Sequence, residues 1–191
     1  MYKKHPIIYC DETSFAAQAC RVGKTWSSAD DPIEVQINNS PYYVTVYGAI
    51  SSDCLNNAVF MEGLSTNTVE FKKFLEKVLT EVKCEYRGSK RPVLIMDNHG
   101  AHIAKNNRSF LEQEFFPVFL PAHSSPFNSI ERVWAAAKHN FALLSLHNHE
   151  EMKKQEFVQM VLKACKSISR KSIFSLCNSN RETILKFLIS R

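Results

Sequence analysis

The chain has 191 residues, 45% of them apolar, with a formal net charge of +5; that is enough to bury the core of one ordinary domain and short for two. Its six cysteines (Cys10, Cys20, Cys54, Cys84, Cys165, Cys177) are scattered without a Cys-x-x-Cys pair, which argues against a zinc site or a disulfide framework. The N-terminal segment leads into a run of only four apolar residues before Asp11, too few for a signal peptide, and no apolar run approaches the roughly 20 residues needed to cross a bilayer. The expectation is a soluble protein that is not secreted.

Ile7-Ile8-Tyr9-Cys10 reads as a short buried strand that delivers Asp11 to its C-terminal edge. Tyr42 to Ile50 alternates aromatic and β-branched residues, and Ala58 to Met61 is another short run, so a meander of strands is expected. From Thr66 the period changes: Phe71, Phe74, Leu75, Val78, Leu79 and Val82 recur at three and four residues, the mark of an amphipathic helix. Pro92 to Met96 is fully apolar and ends at Asp97, Ile103 to Glu114 can form a helix, and Val118 to Leu120 is a brief strand. After Pro126 comes a helix carrying Ile130, Val133, Trp134 and Ala137, followed by helical stretches around Phe157 to Ile168 and Thr183 to Ile189. Strands first, then alternating helices and strands, point to an α/β fold with a mixed sheet covered by helices. Ligands gather at the C-terminal strand ends of open sheets, where Asp11 and Asp97 are both expected.

Charge is unevenly distributed. Residues 1–131 carry 13 basic and 15 acidic side chains, a net −2, while residues 132–191 carry 11 basic and four acidic, a net +7. A basic C-terminal third suits a polyanion, because Lys and Arg supply salt-sensitive contacts to phosphates; a solvated helical face is the alternative.

Asp11, Asp97 and Glu131 each close an apolar segment or open a helix, and each has an ordinary explanation when taken singly. Acids at strand ends often belong to turns. Asn128-Ser-Ile-Glu131 also has the spacing of a capping box. Together, though, three segments form a pattern: Asp11-Glu12-Thr-Ser-Phe15; Leu94-Ile-Met-Asp97-Asn98-His-Gly-Ala-His102; and Leu120-Pro121-Ala-His-Ser124-Ser-Pro-Phe-Asn128-Ser-Ile130-Glu131-Arg-Val-Trp134. This order and the 34-residue interval from Asp97 to Glu131 resemble the three catalytic motifs of mariner-like DDE transposases and their bacterial insertion-sequence relatives. The resemblance covers about residues 5 to 140.

What the resemblance implies is a ribonuclease-H-like fold, a five-stranded mixed sheet flanked by helices, with further helices at the C-terminus. It implies one catalytic domain over residues 1–191, with the three carboxylates as catalytic residues and ligands of two Mg²⁺ or Mn²⁺ ions. Independent chemistry agrees: Mg²⁺ prefers hard oxygen donors, and a pair of ions can serve an in-line displacement without a side-chain base. The family's third motif typically reads Pro-Pro-Tyr-Ser-Pro-Asp-Leu-Asn-Pro-Ile-Glu, from which this chain departs at Ala122, His123, Ser125, Pro126 and Ser129, and by Phe127 in place of Leu. Ser129 stands where a proline would begin the helix, which removes some pre-organisation of the loop. Relatives also carry a helix-turn-helix ahead of the first acid; here only ten residues precede it, so that domain is expected to be absent.

Four further residues are candidates for touching nucleic acid: His102 beside the metal site and against a phosphate, Asn128, Trp26 by stacking on a base, and Lys138. For His102 the alternative is a surface residue in a first helical turn, and for Trp26 a partly buried structural one. His147-Asn-His149 has no ligand partners at metal spacing and reads as a loop. The resulting expectation is a metal-dependent transposase that cleaves double-stranded DNA at transposon ends and joins the freed 3′-hydroxyl to target DNA. It would act as a homodimer, in the nucleus of a eukaryote or the cytoplasm and nucleoid of a bacterium, with end recognition from another domain or protein. The alternatives are a ribonuclease-H-like nuclease that does not join, and a domesticated or decayed transposase acting as a DNA-binding module.

Overall fold

Successive side chains along the strands enter two different buried clusters, the period-2 pattern of a sheet covered on both faces. Ile7, Tyr9, Val46, Val93 and Ile95 belong to one cluster; Ile8, Cys10, Tyr47, Leu94 and Met96 belong to the other. The computed structural model describes residues 5–17, 42–63, 65, 67–121, 124–146 and 152–189. Its elements are β1 (Ile7–Ala16), β2 (Tyr43–Ser51), β3 (Val59–Gly63), α1 (Thr68–Glu85), β4 (Val93–Met96), α2 (Gly100–Ile103), α3 (Lys105–Glu114), β5 (Phe116–Phe119), a 3-10 turn (Ser125–Phe127), α4 (Ile130–Leu146), α5 (Lys154–Lys166) and α6 (Arg170–Ile189). The five strands form one mixed sheet in the order β3-β2-β1-β4-β5. β1 is antiparallel to β2, β2 to β3, and β4 and β5 run parallel to β1.

α1 forms as its apolar spacing requires. Asn67 caps it by accepting from the amides of Val69 and Glu70, and Phe71, Phe74, Leu75, Val78 and Val82 are buried on one face. With Leu111 and Phe115 at the end of α3 they cover one side of the sheet. Ile130, Val133, Trp134 and Ala137 of α4, Phe157 and Val161 of α5, and Ile173 and Cys177 of α6 cover the other. The exposed Lys138, Lys154, Lys163, Lys166, Arg170 and Lys171 therefore all belong to a single helical layer.

Three features differ from the sequence reading. β1 continues to Ala16, so Asp11 lies inside the strand and not at its end, because β2 pairs with β1 along its whole length from Ile8 to Ala16. The stretch Ile103 to Glu114 divides at Ala104 into α2 and α3. α6 begins at Arg170, 13 residues before the expected Thr183. Its first half is rich in Ser and Asn, poor helix formers, but Ile173 and Cys177 bury against the core and hold it. Trp26, His147 and His149 lie outside the described residues. No described helix is long and apolar enough to cross a membrane.

Candidate active site

The parallel pairing of β1 with β4 matches Ile7 to Val93, Ile8 to Leu94 and Tyr9 to Ile95, an offset of 86 residues each time. Asp11 and Asp97 differ by the same 86. Continuing the register by two residues sets them side by side where the paired segment ends, on strands spaced by about 4.8 Å. In open sheets, ligands gather at such carboxyl ends of parallel strands.

Trp134, on the first turns of α4, lies across the sheet at this point. Gly48 is the β2 partner of Asp11, and Phe60 is the β3 partner of Gly48. The indole rests on the bare backbone of Gly48 and packs against Phe60 at 5.7 Å between ring centroids. Its Nε1 donates to Asp11 Oδ2 at 3.2 Å. α4 is tied to β1 a second way, because Asn128 Nδ2 donates to the Cys10 carbonyl at 3.2 Å. The Glu131 amide donates to the Asn128 backbone carbonyl at 3.1 Å, and Asn128 Oδ1 makes no hydrogen bond among the described residues. The Asn128 side chain thus stitches α4 to β1 instead of capping the helix, and Glu131 is carried toward Asp11 in the first helical turn. Ser129, where the family has proline, donates its hydroxyl to the Leu176 carbonyl at 3.1 Å, while Asn180 donates to the Pro126 carbonyl at 3.0 Å. α6 supplies the order that the missing proline does not.

The opposite face of β1 carries a second network. Neighbouring strand residues point to opposite sides, and Glu12 accordingly meets His102 where Asp11 meets Trp134. His102 is fully buried, its ring 4.2 Å from that of Phe71. Nδ1 lies 2.8 Å from Asp97 Oδ1 and Nε2 lies 2.9 Å from Glu12 Oε2, and His99 Nδ1 is 3.9 Å from Glu12 Oε1.

These contacts divide the charges. Burial, then the carboxylate of Glu131, then those of Glu12 and Asp97 push Asp11 up to about 7. Burial and Asp97 also raise Glu131, against the pull of Lys138. The hydrogen bond from His102 holds Asp97 below the usual carboxylate range. Burial alone would lower His102, but its bonds to Asp97 and Glu12 outweigh that and lift it to about 9, so it is a cation at neutral pH. The three acids feel one another's charge, and among the described residues only Asp97 of the three has a cation bonded to it.

Two of the residues expected to touch nucleic acid are therefore placed differently. His102 does sit beside the acids, but with no exposed surface and both ring nitrogens engaged by carboxylates it has no donor for a phosphate. Asn128, 3% exposed and bonded to Cys10, serves packing. Lys138 is exposed, two helical turns beyond Glu131 on the same face of α4. Glu12 and His99 are not singled out by the sequence, although His99 and His102 at helical spacing beside Asp97 are a pattern that could have drawn attention to them.

Known proteins share this arrangement of strands and helices. A pre-cleavage Mos1 transpososome is one of them: 99% of this chain superposes on 58% of that one, at 15% identity and a TM-score of 0.71. The Mos1 mariner paired end complex with Mn matches 97% of this chain over 55% of its own, at 14% identity and a TM-score of 0.70, and the isolated catalytic domain of the Mos1 mariner transposase matches with 12% identity and 0.64, covering 95% and 81%. The fold is thus ribonuclease-H-like. In sequence, an uncharacterised 39 kDa protein of insertion element IS630 from Shigella sonnei is 27% identical over 137 residues; these are 70% of this chain and 38% of that protein, so the chain spans well under half of its relative's length. The family model described as DDE superfamily endonuclease matches residues 6–173, and with nearly the whole described fold inside that match, the chain belongs to the DDE superfamily endonucleases.

Proposed function

We propose that this chain is the catalytic core of a DNA transposase, in which Asp11, Asp97 and Glu131 hold two divalent ions of the Mg²⁺ or Mn²⁺ kind. The observation that carries the reading is the concentration of negative charge: burial and three neighbouring carboxylates raise Asp11 to about 7, a cost that a bound cation would remove. The donors fit such an ion, being hard carboxylate oxygens with one oxygen of Asp11 fixed by Trp134 and one of Asp97 by His102. Bound there, the two ions would activate the attacking oxygen and stabilise the leaving one. The protein's own residues orient: Trp134 and His102 aim the two aspartates, Asn128 places the start of α4, and the helical layer bearing Lys138, Lys163 and Lys166 offers charge to DNA phosphates.

In this reading the substrate is double-stranded DNA, first at transposon ends and then at the target, with the freed 3′-hydroxyl as the nucleophile of joining. One of the similar structures is a paired end complex, and the same reading has this chain work on two ends as a homodimer. Recognition of particular end sequences is assigned to a domain or protein outside residues 1–191. The test is incubation of the protein with Mg²⁺ or Mn²⁺ and labelled duplexes carrying a free 3′-hydroxyl end, with Asp11→Asn, Asp97→Asn and Glu131→Gln as controls. Joined products that vanish in all three variants support the proposal. Cleavage without joining would make the protein a nuclease only, and activity retained in any variant would overturn the assignment of that acid.

A further inference from the structure

We propose that Glu12, His99 and His102 form a second cation site, separate from the three carboxylates, that takes an imidazole-preferring divalent ion such as zinc or cobalt. The three side chains offer ligand atoms that all lie within 4.8 Å of one another. Glu12 is nearly buried and His102 fully so, whereas His99 is about half exposed and gives an ion a way in from solvent. Two imidazoles and one carboxylate suit zinc or cobalt better than magnesium, whose preference is for oxygen. The geometry around His102 carries the argument furthest. Metal-bound histidines almost always give their second ring N–H to a carboxylate, a backbone carbonyl or a water, which fixes the tautomer and the ring plane. His102 has that arrangement already: Nδ1 lies 2.8 Å from Asp97 Oδ1 while Nε2 faces Glu12 at 2.9 Å, and Phe71 packs on the ring. An ion would take the place of the proton on Nε2, and Glu12, which now receives that proton's hydrogen bond, would become a ligand.

The site is distinct from the carboxylate triad because Glu12 and Asp11 point to opposite faces of β1, one toward His102 and the other toward Trp134. It is coupled to the triad through Asp97, which His102 holds by its other nitrogen. An ion in this position would reset the orientation and charge of Asp97, so it would act as a modulator of the neighbouring acids. The proposal stands whether or not those acids are catalytic.

The test titrates metal-free protein with Co²⁺ and follows its visible absorption, in a Cys84→Ser background that removes an exposed thiol. One equivalent is expected to give the absorption of a nitrogen- and oxygen-ligated ion, to be displaced by Zn²⁺, and to resist a large excess of Mg²⁺. His99→Ala, at a half-exposed position that leaves the core untouched, should weaken Co²⁺ by about tenfold or more. The Asp11→Asn, Glu131→Gln double variant should bind it as the parent does. No absorption, undiminished binding by His99→Ala, or loss of binding in the double variant would each overturn the proposal.

Discussion

A methyl group on Gly48 would lie 2.5 Å from Cη2 of Trp134, so the indole that donates to Asp11 depends on the absence of a side chain on the neighbouring strand. Gly48→Ala must push the ring away, and overpacking of this kind typically costs about 1–3 kcal/mol. The expected result is a lower urea midpoint together with weaker cleavage. Trp134→Phe separates the two effects by keeping a ring while removing the N–H. Without that donor the charged form of Asp11 is less favoured, so the variant should need more Mg²⁺ for half-maximal cleavage while unfolding near the parent's midpoint. An unchanged metal requirement would show that the indole does not orient Asp11.

Glu131→Gln distinguishes a carboxylate that holds a metal from one that serves the helix end. Asn128 does not cap α4 with its side chain, so little helix stability is at stake. Neutralising Glu131 also relieves its repulsion with Asp97 and Asp11. The variant should melt slightly higher than the parent in chelator, and its cleavage should fall by more than the roughly 100-fold typical of groups that only orient a ligand. Cleavage near the parental rate would remove Glu131 from the site.

The metal-free protein should lose stability as pH rises from about 4 to 9. Asp11 is raised from 3.8 to about 7 in the folded state, so its contribution is full below the lower value and is lost on passing the upper one. His102 is raised from 6.5 to about 9, and its contribution disappears over that later interval. Asp97 works in the opposite direction: its depressed value gives stability above 3.8 that is lost only in stronger acid. Urea midpoints at pH 5, 7 and 9 in chelator test this, and Asp11→Asn should flatten the segment between 5 and 7 while leaving the decline toward 9.

DNA binding by this chain should be nearly blind to sequence and steeply weakened by salt. Each phosphate neutralised contributes about 0.9 to the slope of log affinity against log salt for duplex DNA. Changing the exposed Lys138, Lys163 and Lys166 to Gln should therefore lower the slope measured by anisotropy on two unrelated duplexes. A strong preference for one duplex, or a slope unaffected by the three changes, would count against the helical layer as the DNA-facing surface.

Much of this was legible in the sequence for specific physical reasons. The 3.6-residue spacing of Phe71 to Val82 announces α1 because its buried face is continuous, and the three acids are legible as a family pattern. The 86-residue interval between Asp11 and Asp97 was also visible, but only strand pairing turns it into a register. Two things were hidden. A histidine in a first helical turn looks the same whether it meets water or, as His102 does, Phe71 and two carboxylates. The first half of α6 is concealed by its Ser and Asn content, because what stabilises it is contact with Tyr9, whose hydroxyl reaches the Cys177 carbonyl from 168 residues away.

The place of β4 in the sheet has a consequence for synthesis. β1, β2 and β3 are consecutive antiparallel partners and can assemble as soon as Gly63 has left the ribosome, yet the other edge of β1 waits for Val93–Met96. Until then a strand with the apolar sequence Ile7-Ile8-Tyr9-Cys10 presents unpaired backbone groups, a template for another nascent chain. Parallel pairing across so long a separation is also slow to close. Substitutions that weaken β4 should therefore reveal themselves first as poor yield of soluble protein, with the correctly folded fraction still binding metal as the parent does.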